Sequence, residues 1–142
     1  MSVHTRSQKL AQAAFKRVTG RLISDDKGKK RLDDKYETFA KKFPALIHTC
    51  GLAQAVAFAE VKGKSDENRK AQKPEMQYLE DLAIVLSQCE PEIVSATKLA
   101  ETSRNLPLSG YLRLSRDAIN AAGWLKRYVE AASPEETTET AS

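Results

Sequence analysis

Two cysteines, two histidines and one tryptophan in 142 residues leave little material for several kinds of chemistry. Cys50 and Cys89 cannot build a disulfide framework, and no CxxC or HxxxH spacing marks a zinc site. A nucleophilic cysteine needs a base within hydrogen-bond reach. His48 and Cys50, two apart on a helix, point to different faces, and His4 lies near the N-terminus. Neither a GxxxxGK[ST] phosphate loop nor GxGxxG occurs. Asp25-Asp26 and Asp33-Asp34 read as a turn and a solvated helix face. The reading is therefore non-enzymatic, with no catalytic residue, no metal and no cofactor.

Other absences bound the fold. No stretch shows two-residue alternation, and hairpin dipeptides such as Asn-Gly are missing. The opening MSVHTRSQKLAQAAFKR has no apolar core of a signal peptide. The longest apolar region, PALIHTCGLAQAVAFAEV, is interrupted by His48, Thr49, Gln54 and Glu60. It falls short of the ~20 apolar residues of a membrane span. The expectation is an intracellular, cytoplasmic protein with reduced cysteines and no membrane partner.

What is present is helical periodicity. Leu10, Ala11, Ala14, Phe15, Val18 and Leu22 trace one face of a helix over 3–23. SDDKGKK is a turn, and Leu32, Tyr36, Phe39, Ala40 and Phe43 mark a second helix over 30–43. Pro44 is expected to break it and open a third over 45–62, apolar nearly all round and therefore central. Residues 63–74 read as a mobile loop. A fourth helix starts at Pro74 with Met76, Leu79, Leu82, Ala83 and Leu86 inward; a fifth starts at Pro91. The last, over 109–132, is capped by Ser109. The fold class is all-α: one domain over 1–132, about six helices with one nearly fully buried central helix, then a disordered acidic tail over 133–142.

Charge is unevenly spread. Lys plus Arg number 23 against 19 Asp plus Glu, net +4, yet residues 1–43 alone hold 12 bases against five acids. A basic face of this kind suits a polyanion. In the last helix Tyr111, Leu114, Ala118, Ala121, Ala122, Leu125, Tyr128 and Val129 share the core side. Arg113, Arg116, Asn120 and Arg127 share another, with Trp124 at the border. An indole there covers a neighbouring helix, stacks on a base or anchors a partner.

The order FPALIHTCGLAQAVAFAEVK, a polar loop, then YLRLSRDAINAAGWLKRYVEA resembles the small subunit of the Cmr complex, the type III-B CRISPR effector. The resemblance rests on Pro44, Gly51, Leu52, Phe58 and Lys62, then Tyr111, Leu112, Leu114, Trp124, Leu125, Lys126 and Arg127, and is weakest over 63–108. It implies a non-catalytic subunit in antiviral defence, stacked along the guide–target RNA groove. Implied partners are other Cmr subunits, guide and target RNA, and copies of itself. On that reading Lys16, Arg17, Arg21, Lys42, Arg113, Arg116 and Arg127 bind RNA, and Trp124 and Lys126 meet a neighbouring subunit. The alternatives are a helix-turn-helix DNA-binding regulator, from ATKLAETSRNLPLSGYLRLS, and a helical adaptor that touches no nucleic acid.

Overall fold

A reciprocal cap begins the first helix. The Thr5 hydroxyl accepts the Gln8 N–H at 3.0 Å, and the Gln8 side chain accepts the Thr5 N–H at 2.8 Å. Helix α1 (Arg6–Gly20) then buries Leu10, Ala14 and Val18. Phe15, expected on that stripe, is 52% exposed. The computed structural model describes residues 4–64 and 72–132. Most of the expected 63–74 loop and the whole acidic tail lie outside the described residues.

The turn after α1 holds more order than the sequence suggested. Strand β1 (Ile23–Ser24) pairs antiparallel with β2 (Lys30–Arg31), matching Ile23 to Arg31 and Ser24 to Lys30. The Asp25 carboxylate accepts the N–H groups of Lys27 and Lys29, each at 2.9 Å, and Gly28 takes the left-handed φ of 79°. No hairpin dipeptide is needed, because one aspartate side chain replaces it.

Helix α2 (Asp34–Cys50) is capped by the Asp33 carboxylate, which accepts from Lys35 and Tyr36 N–H. It runs straight through Pro44, so the expected break there is corrected. An interior proline costs roughly 3 kcal/mol. Tyr36, Phe39, Ala40, Phe43 and Ile47 form one buried stripe across it, and burying such side chains contributes about 1.5–3 kcal/mol each. The interruption falls at Gly51, whose φ of 88° and ψ of 159° suit glycine. Helix α3 (Leu52–Lys62) follows, and its N-terminus has no cap of its own. The Tyr111 hydroxyl, 58 residues on, accepts the Ala53 N–H at 3.0 Å and serves instead.

Helix α4 (Pro74–Leu86) is the central one, not 45–62 as expected. It buries Pro74, Tyr78, Leu79, Asp81, Leu82, Ala83, Val85 and Leu86, and packs on every helix of the bundle. In α3 only Leu52, Ala55, Val56 and Ala59 are buried, and Val61 is 73% exposed. Helix α5 (Ala96–Asn105) begins five residues after Pro91, capped by Ser95 and by Glu80, which accepts the Ala96 N–H at 3.0 Å. Helix α6 (Leu108–Ala132) starts directly after Pro107, leaving Ser109 inside it, and lies across α1 and α2. The expected all-α bundle of six helices is observed, with the two-residue strands as its sole departure among the described residues.

One carboxylate at the centre holds three helices together. Asp81 is fully buried, and its Oδ1 accepts Arg17 Nε at 2.8 Å and an Arg21 terminal N–H at 2.9 Å. Oδ2 accepts Arg21 Nε at 2.9 Å and the Tyr36 hydroxyl. Hydrogen bonding to Asp81 raises the Arg21 pKa above its ordinary value. Such a network is specific because removing one member leaves the others buried without partners. Asp81→Ala should destabilise the protein by about 3 kcal/mol, the low end for a broken buried pair because both arginines also reach water. Urea unfolding followed by circular dichroism measures it; a loss below ~1 kcal/mol would mean that the cluster is dispensable.

The same centre sets an alkaline limit. Burial, with Asp81 nearby, pushes the hydroxyls of Tyr36 and Tyr78 far above the ordinary value of 10.0. The unfolded chain gives up both protons above that pH while the folded chain keeps them, so stability falls as pH rises past it. Part of the tyrosinate absorbance should therefore appear only together with loss of helical ellipticity. If all four tyrosines titrate while the helices persist, these two are not protected by the fold.

Candidate nucleic-acid and subunit interface

Three faces carry the candidate cations, two of them between helix pairs and one on α6 alone. Between α1 and α4 runs a groove lined by Lys9, Gln12, Ala13, Lys16, Arg17, Ile84 and Gln88, with no acid among them. Lys9, Gln12 and Lys16 recur at spacings of three and four, so α1 presents them along one wall. Lys16 is exposed, as its assignment to RNA requires.

Arg17 and Arg21, assigned to RNA alongside Lys16, also take part in the fold. Their side chains are 35% and 23% exposed and both are ion-paired to Asp81. Neither is part of the buried stripe of Leu10, Ala14 and Val18, as a helical period alone indicates for Arg17. That period could not reveal that a buried acid on a distant helix awaited them.

The second face joins α2 to α3. Lys42 Nζ lies 5.7 Å from the Phe39 ring and 5.8 Å from the Phe58 ring, and Lys62 Nζ lies 5.7 Å from Phe58. The two rings stack with centroids 6.3 Å apart. Phe39 is buried, whereas Phe58 is 37% exposed. An ammonium held over a ring face keeps its charge in place without a counter-ion. On the other side of Phe58 a shallow apolar groove is lined by Leu46, Cys50, Gln54, Ala57 and Val61.

The third face is the outer side of α6. Arg113 reaches Glu90 at 3.2 Å, while Arg116 is exposed and has no ion pair among the described residues. The Arg127 guanidinium lies 5.0 Å over the Trp124 ring, and the Tyr128 ring stacks on the same indole at 5.9 Å. Tyr128 in turn meets Phe15 edge-on at 5.4 Å. Trp124 is thus half-buried inside a row that runs Arg127, Trp124, Tyr128, Phe15, and Lys126 beside it is half-buried. The indole packs on the core as well as standing with an arginine.

Lys9 and Phe15 escaped the sequence reading as site residues. Their signal was present, since Lys9 shares the Lys16 stripe and Phe15 precedes Lys16, but exposure had to be seen. Elsewhere, burial raises the Cys89 pKa, so its thiol is the favoured form. Among the described residues no group of three or more His, Cys, Asp or Glu could hold a metal ion. No described helix is long and apolar enough to cross a membrane. Helix α6 buries Leu114, Asp117, Ala118, Ala121, Ala122, Leu125 and Val129. That packing leaves it poorly placed for the groove-entering role of a helix-turn-helix.

Comparison with known proteins places this arrangement. The family described as CRISPR-associated protein (Cas_Cmr5) matches residues 6–132. The CRISPR system Cmr subunit Cmr5 of Thermus thermophilus is 36% identical over 129 residues, 91% of this chain and 96% of the relative. The crystal structure of a CRISPR-associated Cmr5 family protein from the same organism aligns with a TM-score of 0.73 at 32% identity. That alignment covers 92% of this chain and 100% of the other. Sequence and fold agree over the whole bundle, and the chain belongs to the Cmr5 family of CRISPR-associated proteins.

Proposed function

We propose that this chain is the small, non-catalytic subunit of a type III-B Cmr complex, and that it acts by touching RNA phosphates and neighbouring subunits. Family membership supports its place in such a complex. The observation that carries the RNA half is the acid-free groove between α1 and α4. Lysine ammonium groups there meet phosphates as point charges, which positions RNA without reading its sequence. Lys42 and Lys62 on the second face, in a cleft that Asp34 and Glu75 also line, and Arg116 on α6 add further cations. Arg17 and Arg21 serve the fold rather than the RNA. With few phosphate contacts the isolated protein binds RNA weakly, and binding weakens with salt through counterion release.

The two roles of the basic residues separate experimentally. Lys9→Glu, Lys16→Glu and Lys42→Glu together should leave the thermal melt of the isolated protein near that of the wild type. They should reduce target-RNA retention by the assembled complex at low salt. Arg21→Glu should instead lower the melt, because it sets a second acid against buried Asp81. Equal RNA retention by the triple-lysine variant would make the groove ordinary solvated surface.

Subunit contact is assigned to the Trp124 row, and copies of the chain stacked along the RNA would share it. Trp124→Ala should cost about 1–2 kcal/mol, since the indole is half-buried and stacked, against about 2–5 kcal/mol for fully buried Leu125→Ala. It should also lower recovery of the subunit in pulled-down complex. Normal recovery with a wild-type-like melt rules out the interface role.

A further inference from the structure

Glycine weakens a helix interior unless something must come close to the backbone there. Gly63 has such a reason within the chain, because a Cβ on it would lie 2.7 Å from the Met76 backbone N. Gly123, in the middle of α6, has none. A Cβ on it would meet no described atom within 4 Å, so the fold itself does not require the gap. Around the gap runs a stripe that no described helix covers, since α6 packs on α1, α2 and α4 with its other side. Spacings of three and four place Leu108, Leu112, Arg116, Ile119, Gly123 and Arg127 along it. Leu108 is 72% exposed and Leu112 56%. Arg116 forms no ion pair among the described residues. Arg127 is exposed and rests on Trp124. The acids of α6 are Asp117, buried and paired with Arg6, and Glu130, one turn beyond Arg127.

We propose that a helix of a neighbouring subunit packs along this stripe, crossing α6 at Gly123. Its aliphatic side chains cover Leu108 and Leu112, and its carboxylates meet Arg116 and Arg127, about 16 Å apart along the axis. The distance between packed helices is set by the side chains at their contact, and a missing Cβ lets the two backbones approach. The exposed leucines favour protein over RNA, because a sugar–phosphate backbone would leave both in water. An acid-bearing partner is selected by charge, since two arginines stand on the stripe against one glutamate at its end. The stripe adjoins the Trp124 row, so one interface continues from the row across the outer side of α6. Membership of a Cmr complex, proposed above, supplies the neighbour, while the stripe selects what that neighbour presents. In the complex Arg116 then serves protein contact, and the lysines are left to the RNA.

Full-length variants test the contact, each measured for its thermal melt and for recovery in the reconstituted complex. Gly123→Ala and Gly123→Leu should melt at or above the wild type, because the space is open and both residues favour a helix. Gly123→Leu should nevertheless lower recovery about fivefold or more, as expected for an interface anchor point, and Gly123→Ala less. Arg116→Glu should lose more recovery than Arg116→Ala, because it sets like charges together. Target RNA retained per recovered subunit should stay at the wild-type level. Full recovery of Gly123→Leu overturns the close approach, and melts of both glycine variants well below the wild type do so too. Equal losses for the two Arg116 variants overturn the acidic partner. Normal recovery with less RNA retained makes the stripe an RNA track instead. Self-association of the isolated wild type that Gly123→Leu abolishes replaces the acidic helix by a second copy. A wild-type chain that itself fails to join other Cmr subunits overturns membership of the complex, and the partner with it.

Discussion

Everything in this bundle is arranged around a carboxylate that water cannot reach. Asp81 stands on the central helix and receives two arginines from α1 and a tyrosine from α2. Its desolvation is tolerable only because four hydrogen bonds and two positive charges converge on it. An apolar residue at that position would fill space, but it would not fix how α1 and α2 are rotated about α4. The ion pair fixes that rotation. The rotation decides which residues of α1 turn inward and which, like Lys9 and Lys16, are left for the surface.

That division shows what was legible in the sequence. The 3.6-residue period located the helices and most of their buried faces, because burial of a stripe is a local property of composition. Pro44 misled because proline is a local signal, and the stripe from Tyr36 to Ile47 outweighed it. Gly51 lies inside the apolar run that reads as one helix, yet its positive φ makes it the joint between two. The fate of Arg17 and Arg21 was hidden for a different reason. A long-range ion pair leaves no periodic trace in either partner's neighbourhood, so the tie of these two positions to a buried acid could not be read from the sequence. The family resemblance was legible from the motif-bearing segments around α3 and α6, and the comparisons support it over the whole bundle.

The surface cations divide by what holds them. Basic residues with carboxylate partners, such as Arg6 on Asp117 or Arg113 on Glu90, tie helices together. Lys42 and Lys62 rest on phenylalanine rings, and Lys9 and Lys16 flank a groove without acids. Net charge alone does not distinguish these groups. A protein of charge +4 with nearly every cation paired would present a nearly neutral surface to RNA. Here cations without a carboxylate partner cluster, which is why a modest excess can still make local sites.

The helper contacts that close the fold come from far along the chain. Helix α3 has its N-terminus capped by Tyr111, and Arg6 of α1 is held by Asp117, 111 residues later. During synthesis, α1 to α3 emerge before either partner exists. Their packing stays provisional until the last helix arrives, as expected where contacts span long loops. A ribosome-bound fragment lacking α6 therefore exposes apolar faces of α1 and α2 for as long as the final helix takes to be made. Truncation inside α6 is consequently a more severe lesion than its distance from the central aspartate suggests, and the final helix acts as the latch of the folding reaction.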